Sequence, residues 1–346
     1  MSISDIAPRT RAAFPPPLLT ALTLTVVGLV LLGFGATTPQ LVTPVKAAFA
    51  LLGLGMAFAG ASRLGKIWSG PGFDLVFWFG AGWLIVLGLA ILFAPWLPLG
   101  EDRDVASTVL EPAFAAPTFT GANPLGTNGF GLDLLARSLY GARSSLVISL
   151  SAVAVGTVLG GAIGMMAGYF QKSVDRAVGI ATNSLLAVPP LILLIALATV
   201  LEPHLRNVAL SLALLTIPGM VRLARATTMA YANREFVLAA RAMGATRSRI
   251  MLRELLPNVL LPLLSLAVVM ISVLIVAEAS LSFLGLGIQP PEPTWGNMIA
   301  EGEGRVFEEH PHIVLVPGAF LFLTVFAFNI VGEKARGRWD SRSVKL

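Results

Sequence analysis

The sequence predicts an all-α polytopic membrane protein of about eight transmembrane helices. Of its 346 residues, 55% are hydrophobic, the mean hydropathy is +0.81, and only 12% are charged, against about 25% in a soluble globular domain. The apolar residues fall into runs long enough to cross about 30 Å of hydrocarbon at about 1.5 Å per residue. The 34 Gly and 23 Pro belong inside these runs, where membrane helices tolerate them better than soluble helices do. A cytosolic enzyme is excluded. Cysteine is absent, which removes disulfides, thiolate metal sites and thiol nucleophiles.

In chain order, the runs place spans at Leu18 to Ala36, Leu41 to Ser62, Phe73 to Leu97, Ser144 to Phe170, Ala177 to Leu201, Val208 to Met229, Val259 to Leu284 and Ile313 to Gly332. The first run is about 19 residues, longer than the 7 to 15 of a signal-peptide core, so it reads as a retained span. Eight spans put both termini on one side. That side then holds every Lys and Arg except Lys46, Arg103, Arg137, Arg143, Arg206 and Arg305, while the other side holds Glu101, Asp102, Asp104, Glu301, Glu303, Glu308 and Glu309. The positive-inside rule makes the basic side cytoplasmic. The net charge of +5 therefore follows topology and calls for no nucleic-acid partner.

The spans carry few ionisable groups, whereas ion-coupled transporters place Asp, Glu, His or Lys at mid-membrane. Glu278 is the exception, near the outer end of its span; it and the neutral Asn183 and Asn329 read as interhelical hydrogen-bonding groups. Gly60, Gly65 and Lys66 approach a phosphate-binding loop, but Ile67 stands where a hydroxyl would ligate Mg²⁺. His204, His310 and His312 lack further ligands at metal-site spacing, so no metal is expected. Gly156, Gly160, Gly164 and Gly168 recur every four residues and form one smooth helix-packing face.

The longest polar stretch on the basic side, residues 222–258, has the pattern of two short helices. The first, about Glu235 to Met243, groups Phe236, Ala239, Ala240 and Met243 on one small apolar face and stops at Gly244, a natural C-terminal cap. The second starts after Thr246 as N-cap and is expected to end at Pro257, which lacks an N–H. Such a rigid knob suits docking into a groove of a soluble partner.

These residues resemble the permease subunits of binding-protein-dependent ABC importers. Their cytoplasmic EAA-x3-G-x9-hydrophobic-x-LP loop is similar to Ala239-Ala240-Arg241-Ala242-Met243-Gly244 through Leu256-Pro257-Asn258, with Leu238 in place of the Glu and Glu254 before the Leu-Pro step. Glu278-Ala279-Ser280-Leu281-Ser282-Phe283-Leu284-Gly285-Leu286-Gly287, followed by Trp295-Gly296-Asn297, resembles the dipeptide/oligopeptide/nickel C-type subunits. A third block, Pro124-Leu125-Gly126-Thr127 through Tyr140-Gly141-Ala142-Arg143, is also similar, with Asn123, Asn128 and Leu132 departing from it.

The resemblance implies a six-helix type I permease core with two extra N-terminal helices. The implied divisions are an extension over 1–72, a first core helix and outer loop over 73–143, a core over 144–335 with its coupling loop at 222–258, and a cytoplasmic tail over 336–346. It implies half of a translocation path for di- or oligopeptides in the bacterial inner membrane, with both termini cytoplasmic. Nickel or another small solute, or a scaffold or exporter role, stays open. The expected partners are a homologous second permease, two ATPase subunits that hold ATP and Mg, an extracytoplasmic substrate-binding protein, the peptide and membrane lipid. The chain itself is expected to bind no cofactor and to have no catalytic residues. Glu235, Phe236, Ala239, Ala240, Arg241, Gly244, Leu256 and Pro257 are the expected ATPase-coupling residues. Glu278, Phe283, Gly285, Gly287, Trp295 and Asn297 are expected at the outer gate or facing the binding protein.

Overall fold

The computed structural model describes residues 17–37, 43–118 and 121–343, and among the described residues the regular elements are helices with no strand. Positions 1–16 and 344–346, which include Arg9, Arg11 and Lys345 of the basic tails, and positions 41–42 at the start of the expected second span lie outside the described residues. The chain divides into two compact units, one ending at Phe79 and one beginning at Gly80.

In the first unit, α1 (Pro17–Thr37) and α2 (Thr43–Ser69) form an antiparallel hairpin. Small residues allow the close approach: a Cβ on Gly53 would sit 2.7 Å from the Gly28 carbonyl oxygen, and one on Gly60 would meet the Thr25 backbone. The Gly60, Gly65, Lys66 pattern lies within α2 and forms no loop. Helix α3 (Leu75–Phe93) begins in this unit and runs on into the second.

The second unit is a bundle built around α4 (Leu134–Phe170) and α7 (Leu205–Ala232). At 37 residues, α4 is about 55 Å long and overreaches the hydrocarbon thickness. Gly156, Gly160, Gly164 and Gly168 all face α7. A Cβ added to them would strike Thr216, Met220, Val221 and the Arg225 carbonyl in turn. Residue numbers rise together along both helices, so α4 and α7 run parallel. The expected glycine face is thus consumed inside the chain.

Parallel neighbours require the intervening chain to cross back. It does so through α5 (Lys172–Ala187) and α6 (Pro190–Ala198), bent by 85° at the break between them. The span expected as one helix over Ala177 to Leu201 is therefore broken. Val188 precedes Pro189, which disfavours the helical region for it, and its ψ is 127°; Pro189 and Pro190 then start a new helix. Six described helices are long and apolar enough to cross a membrane, and the bent pair makes seven. Helix α1 adds a shorter apolar stretch, Leu18–Phe34, as a further N-terminal apolar helix.

After α7 come α8 (Glu235–Ala242), α9 (Arg247–Arg249), a π-helical turn (Ile250–Leu255) and α10 (Leu256–Phe283). Then α11 (Trp295–Ala300) and α12 (Arg305–Glu309) lead to α13 (His312–Ser343). Helix α3 runs antiparallel to α13, with Gly80 against Ala327 and the Trp83 indole N–H donating to Thr324 Oγ1 at 3.0 Å. Ile148, Leu212, Met220, Leu263, Leu274 and Ile275 lie in the core shared by α4, α7 and α10.

A Gly164→Leu variant is expected to force α4 and α7 apart at a cost of about 3 kcal/mol or more, seen as a lower melting temperature in detergent and less folded protein. Gly219→Ala, where an added Cβ meets nothing within 4 Å, is the matched control and is expected to melt as the parent does.

Candidate functional site

The loop after α7 folds as a knob on the ends of α4 and α7. Val237 and Ala240 of α8 pack with Ile250 and Leu255 of the π turn and Met165 of α4, with Tyr169, Tyr231, Ala245 and Met251 around them. Helix α8 ends in a Schellman motif: Gly244 N–H donates to the Arg241 carbonyl and Ala245 N–H to the Ala240 carbonyl, each at 3.0 Å. This requires Gly244 at φ +82°, in open space, so glycine is needed for its backbone freedom. Thr246 then caps the next helix, its Oγ1 accepting from Arg249 N at 3.4 Å.

That second helix does not end at Pro257, as the sequence suggested. It continues without a break into α10 because the chain widens into a π turn, where Leu256 N–H donates to the Met251 carbonyl. The wide turn gives the Pro257 ring room that a regular α-turn denies it. Asn258 Nδ2 donates to the Glu254 carbonyl at 2.7 Å. The second half of the knob and the span are one rod.

The opposite end of the bundle is closed by residues 97–118, 121–133 and 285–311. Arg137 is buried on α4; its Nη2 donates to Glu301 Oε1 at 2.5 Å and its Nη1 to the Asp102 carbonyl at 3.1 Å. Asn128 Nδ2 donates to the second Glu301 oxygen at 2.8 Å, while its Oδ1 accepts from Phe130 N and Leu132 N. Asp133 caps α4, accepting from Leu135 N, Ala136 N and Gly100 N; burial pushes its carboxyl above the usual carboxylate value, against those three N–H groups. Glu101 accepts N–H bonds from Asp104, Arg103 and Asp102, which hold its carboxyl below the usual value.

Glu278, fully buried on α10, accepts from Ser145 Oγ of α4 at 2.6 Å and from Ser282 Oγ at 2.7 Å. Helix α10 ends as α8 does, with Gly285 at φ +72° and Leu286 N–H donating to the Leu281 carbonyl at 3.0 Å. Beyond it, Thr294 and Asn297 form a reciprocal capping box at the start of α11. Asn297 Nδ2 also donates to the Ile288 and Glu292 carbonyls, and Trp295 Nε1 to the Ser138 carbonyl.

Residues 160–342, more than half of the chain, match the family described as the binding-protein-dependent transport system inner membrane component. The chain belongs to that permease family. The di/tripeptide transport system permease protein DppC of Pseudomonas aeruginosa is 35% identical over 260 residues, covering 75% of this chain and 86% of that protein. The dipeptide transport system permease protein DppC of Haemophilus influenzae is 35% identical over 265 residues, 75% of this chain and 88% of its own. The glutathione transport system permease protein GsiD of Pectobacterium atrosepticum is 34% identical over 223 residues, 64% and 74% of the two chains.

In this permease the expected coupling residues divide. Glu235, Phe236, Ala239, Arg241, Gly244 and Pro257 are exposed and Leu256 is half-buried, whereas Ala240 packs inward with Val237. The inward face of α8 is thus Val237 and Ala240. Arg241 lies over the Tyr169 ring at 5.9 Å. At the other end, Phe283 and Gly285 are exposed, but Glu278, Gly287, Trp295 and Asn297 are buried. Glu278 is buried on α10 against Ser145 of α4, and Gly287, Trp295 and Asn297 are buried where the following loop and α11 fold back on α10 and α4.

Asn183 accepts from Arg222 of α7 at 3.0 Å, as an interhelical bond, while Asn329 donates to the Val325 carbonyl of its own helix. Arg225 forms a two-pronged ion pair with Asp175 of α5 beside a cavity of about 370 Å³. Sequence reasoning missed Arg137, counted only as a topology charge, together with its partners Glu301 and Asn128; the departure at Asn128 was the available signal.

Replacing Arg137 with Ala strands Glu301 and Asn128 inside the closing loops and is expected to cost about 3–5 kcal/mol. Arg103→Ala breaks a more exposed pair with Asp102 and Glu292 and is expected to cost about 1 kcal/mol or less. Thermal melting of the two variants in detergent measures the difference.

Proposed function

We propose that this permease is one half of the translocation path of an ATP-driven importer of di- or oligopeptides. The observation that carries the reading is the continuous helix from Arg247 through the π turn to Glu278, on which α8 packs, giving a soluble motor a rigid handle on a membrane span. On the positive-inside rule, the knob, with Arg222, Arg225, Arg234, Arg241, Arg247, Arg249 and Arg253 around it, faces the cytoplasm, as do both termini. The closing loops face outward. The partners are a second homologous permease, two ATPase subunits that bind ATP and Mg, and a substrate-binding protein above. This chain contributes no catalytic group and no cofactor of its own.

Exposed Phe236, Ala239 and Arg241 present a shallow apolar surface with a basic edge, suited to a groove in the ATPase. When the ATPases close, the knob moves as one body and turns the spans between inward- and outward-facing states. The names of the relatives support peptide cargo, with dipeptides and tripeptides first; the relative named for glutathione transport supports the same size class. The scarcity of charged groups in the spans suits contacts to the peptide backbone.

Purification of the tagged chain from native membranes in mild detergent is expected to recover a second permease and ATPase subunits, with ATP hydrolysis stimulated by a peptide-loaded binding protein. Recovery of the chain without any ATPase, where a known importer survives the same detergent, overturns the reading. Gly244→Val forces a β-branched residue to positive φ and is expected to lower peptide uptake at least about tenfold, with membrane insertion unchanged. Gly244→Asn, which tolerates that backbone better, is expected to retain more uptake; equal uptake by wild type and Gly244→Val counts against the coupling role.

A further inference from the structure

The segment between α3 and α4 contains a tight turn whose tip is apolar and bare. Leu110 is 98% exposed, Val109 75% and the neighbouring Phe130 58%. A loop tip held loosely would shed such groups into its own interior, but this one is pinned. Thr108 is buried, and its hydroxyl lies 2.7 Å from the Phe130 carbonyl and 3.3 Å from the Val105 carbonyl. Glu111 N–H closes the turn onto the Thr108 carbonyl at 2.9 Å. Gly131, at φ +77°, lets the two strands of chain touch, since a Cβ there would sit 2.9 Å from the Thr108 carbonyl oxygen. Three large apolar side chains are thus held outward by backbone hydrogen bonds.

We propose that Val109, Leu110 and Phe130 form the apolar anchor on which the cargo-binding protein seats. This rests on the importer reading above and on the family's dependence on a binding protein. Charge selects a protein over a bilayer as the occupant. In sequence, Glu101, Asp102, Asp104 and Glu111 flank the turn against the single Arg103, and an anionic membrane surface repels such an excess of acid. The matching surface is an apolar socket with a basic margin.

The turn is also wired to the bundle. Two residues of its base are gripped: the Asp102 carbonyl by Arg137 of α4, and the Arg103 guanidinium by Glu292 at 2.8 Å in the loop that leads to α11. Arg137 holds Glu301 at the end of α11. A load on Leu110 therefore reaches the start of α4 and the loop after α10 through charged contacts, without passing through a mobile linker.

The chain has no cysteine, so Leu110→Cys gives it a single thiol for a bimane label. The labelled permease is assembled into its full complex in phosphatidylcholine nanodiscs, with the binding protein that stimulates its ATPase as probe. Adding the binding protein is expected to shift the bimane emission to the blue, and doxyl-labelled lipids are expected to leave it unquenched. Leu110→Asp is expected to weaken binding-protein affinity about 30-fold with basal ATP hydrolysis unchanged, and Leu110→Met to stay within about twofold of wild type. Quenching by doxyl lipid without the binding protein assigns the tip to the bilayer and overturns the proposal. A wild-type complex that is stimulated, alongside a Leu110→Asp complex of equal affinity, overturns the anchor alone; a wild-type complex that no binding protein stimulates overturns the importer reading and the anchor with it.

Discussion

The parallel contact between α4 and α7 is the constraint on which the bundle depends. Four glycines bring the backbones so close that an added Cβ at Gly160 would sit 2.6 Å from the Met220 Cβ and one at Gly168 2.7 Å from the Arg225 carbonyl oxygen. Between membrane helices there is no difference in hydrophobicity to exploit, so the gain comes from dispersion over a long, tight seam. Two parallel helices adjacent in sequence order need a full crossing between them. Here the crossing is the bent pair α5–α6, whose break is set by Pro189 and Pro190. The seam also fixes where the knob sits, since Met165 and Tyr169 at the end of α4 and Tyr231 at the end of α7 form its floor.

Helix α10 joins the two ends of this frame. Each end of the rod is defined by a glycine-dependent stop, Gly244 before it and Gly285 after it, both at positive φ and both closing a Schellman motif. Between them, Pro257 is absorbed by the π turn and Glu278 is bonded across to Ser145. The interactions at the two ends differ in kind. The knob is held mainly by apolar packing of small area, whereas the closing loops are held by buried, directional, charged contacts around Arg137 and Glu301. Apolar contacts of that size re-form in more than one register; a buried ion pair with three or four hydrogen bonds does not.

Much of this was legible in the sequence because it rests on local rules. Gly244 and Thr246 act as the stop and start that their residue types announce, and the glycine period of α4 marks a packing face. The misread elements failed where tertiary context decides. Pro257 reads as a terminator, and only the π turn, whose stacking on α8 is a tertiary contact, carries a helix through it. In an eight-residue helix the apolar positions permit two faces: the spacing groups Ala240 with Phe236, whereas Val237 draws it inward. The span over 177–201 has an unbroken apolar average, which conceals the double proline. Trp295 and Asn297 stand out as a pattern, but a pattern does not tell a buried brace from an exposed contact. Arg137 looked like one more topology charge because its acceptors lie at the far side of two loops.

These constraints locate the part of the second unit that is least restrained. Helix α5 is bounded on one side by Gln171 and Lys172, two non-glycine residues at φ +53° and +47°, and on the other by the proline break. Its buried surface is nearly limited to Thr182, and its ties to α7 are polar, through Asp175 to Arg225 and Asn183 to Arg222. Exposed or half-exposed ion pairs of this kind hold weakly and exchange partners readily. The α4–α7 seam and the Arg137 network resist deformation, and α10 is a single rod. Between its two backbone breaks, α5 lies beside the polar cavity lined by Asp175, Arg222 and Arg225.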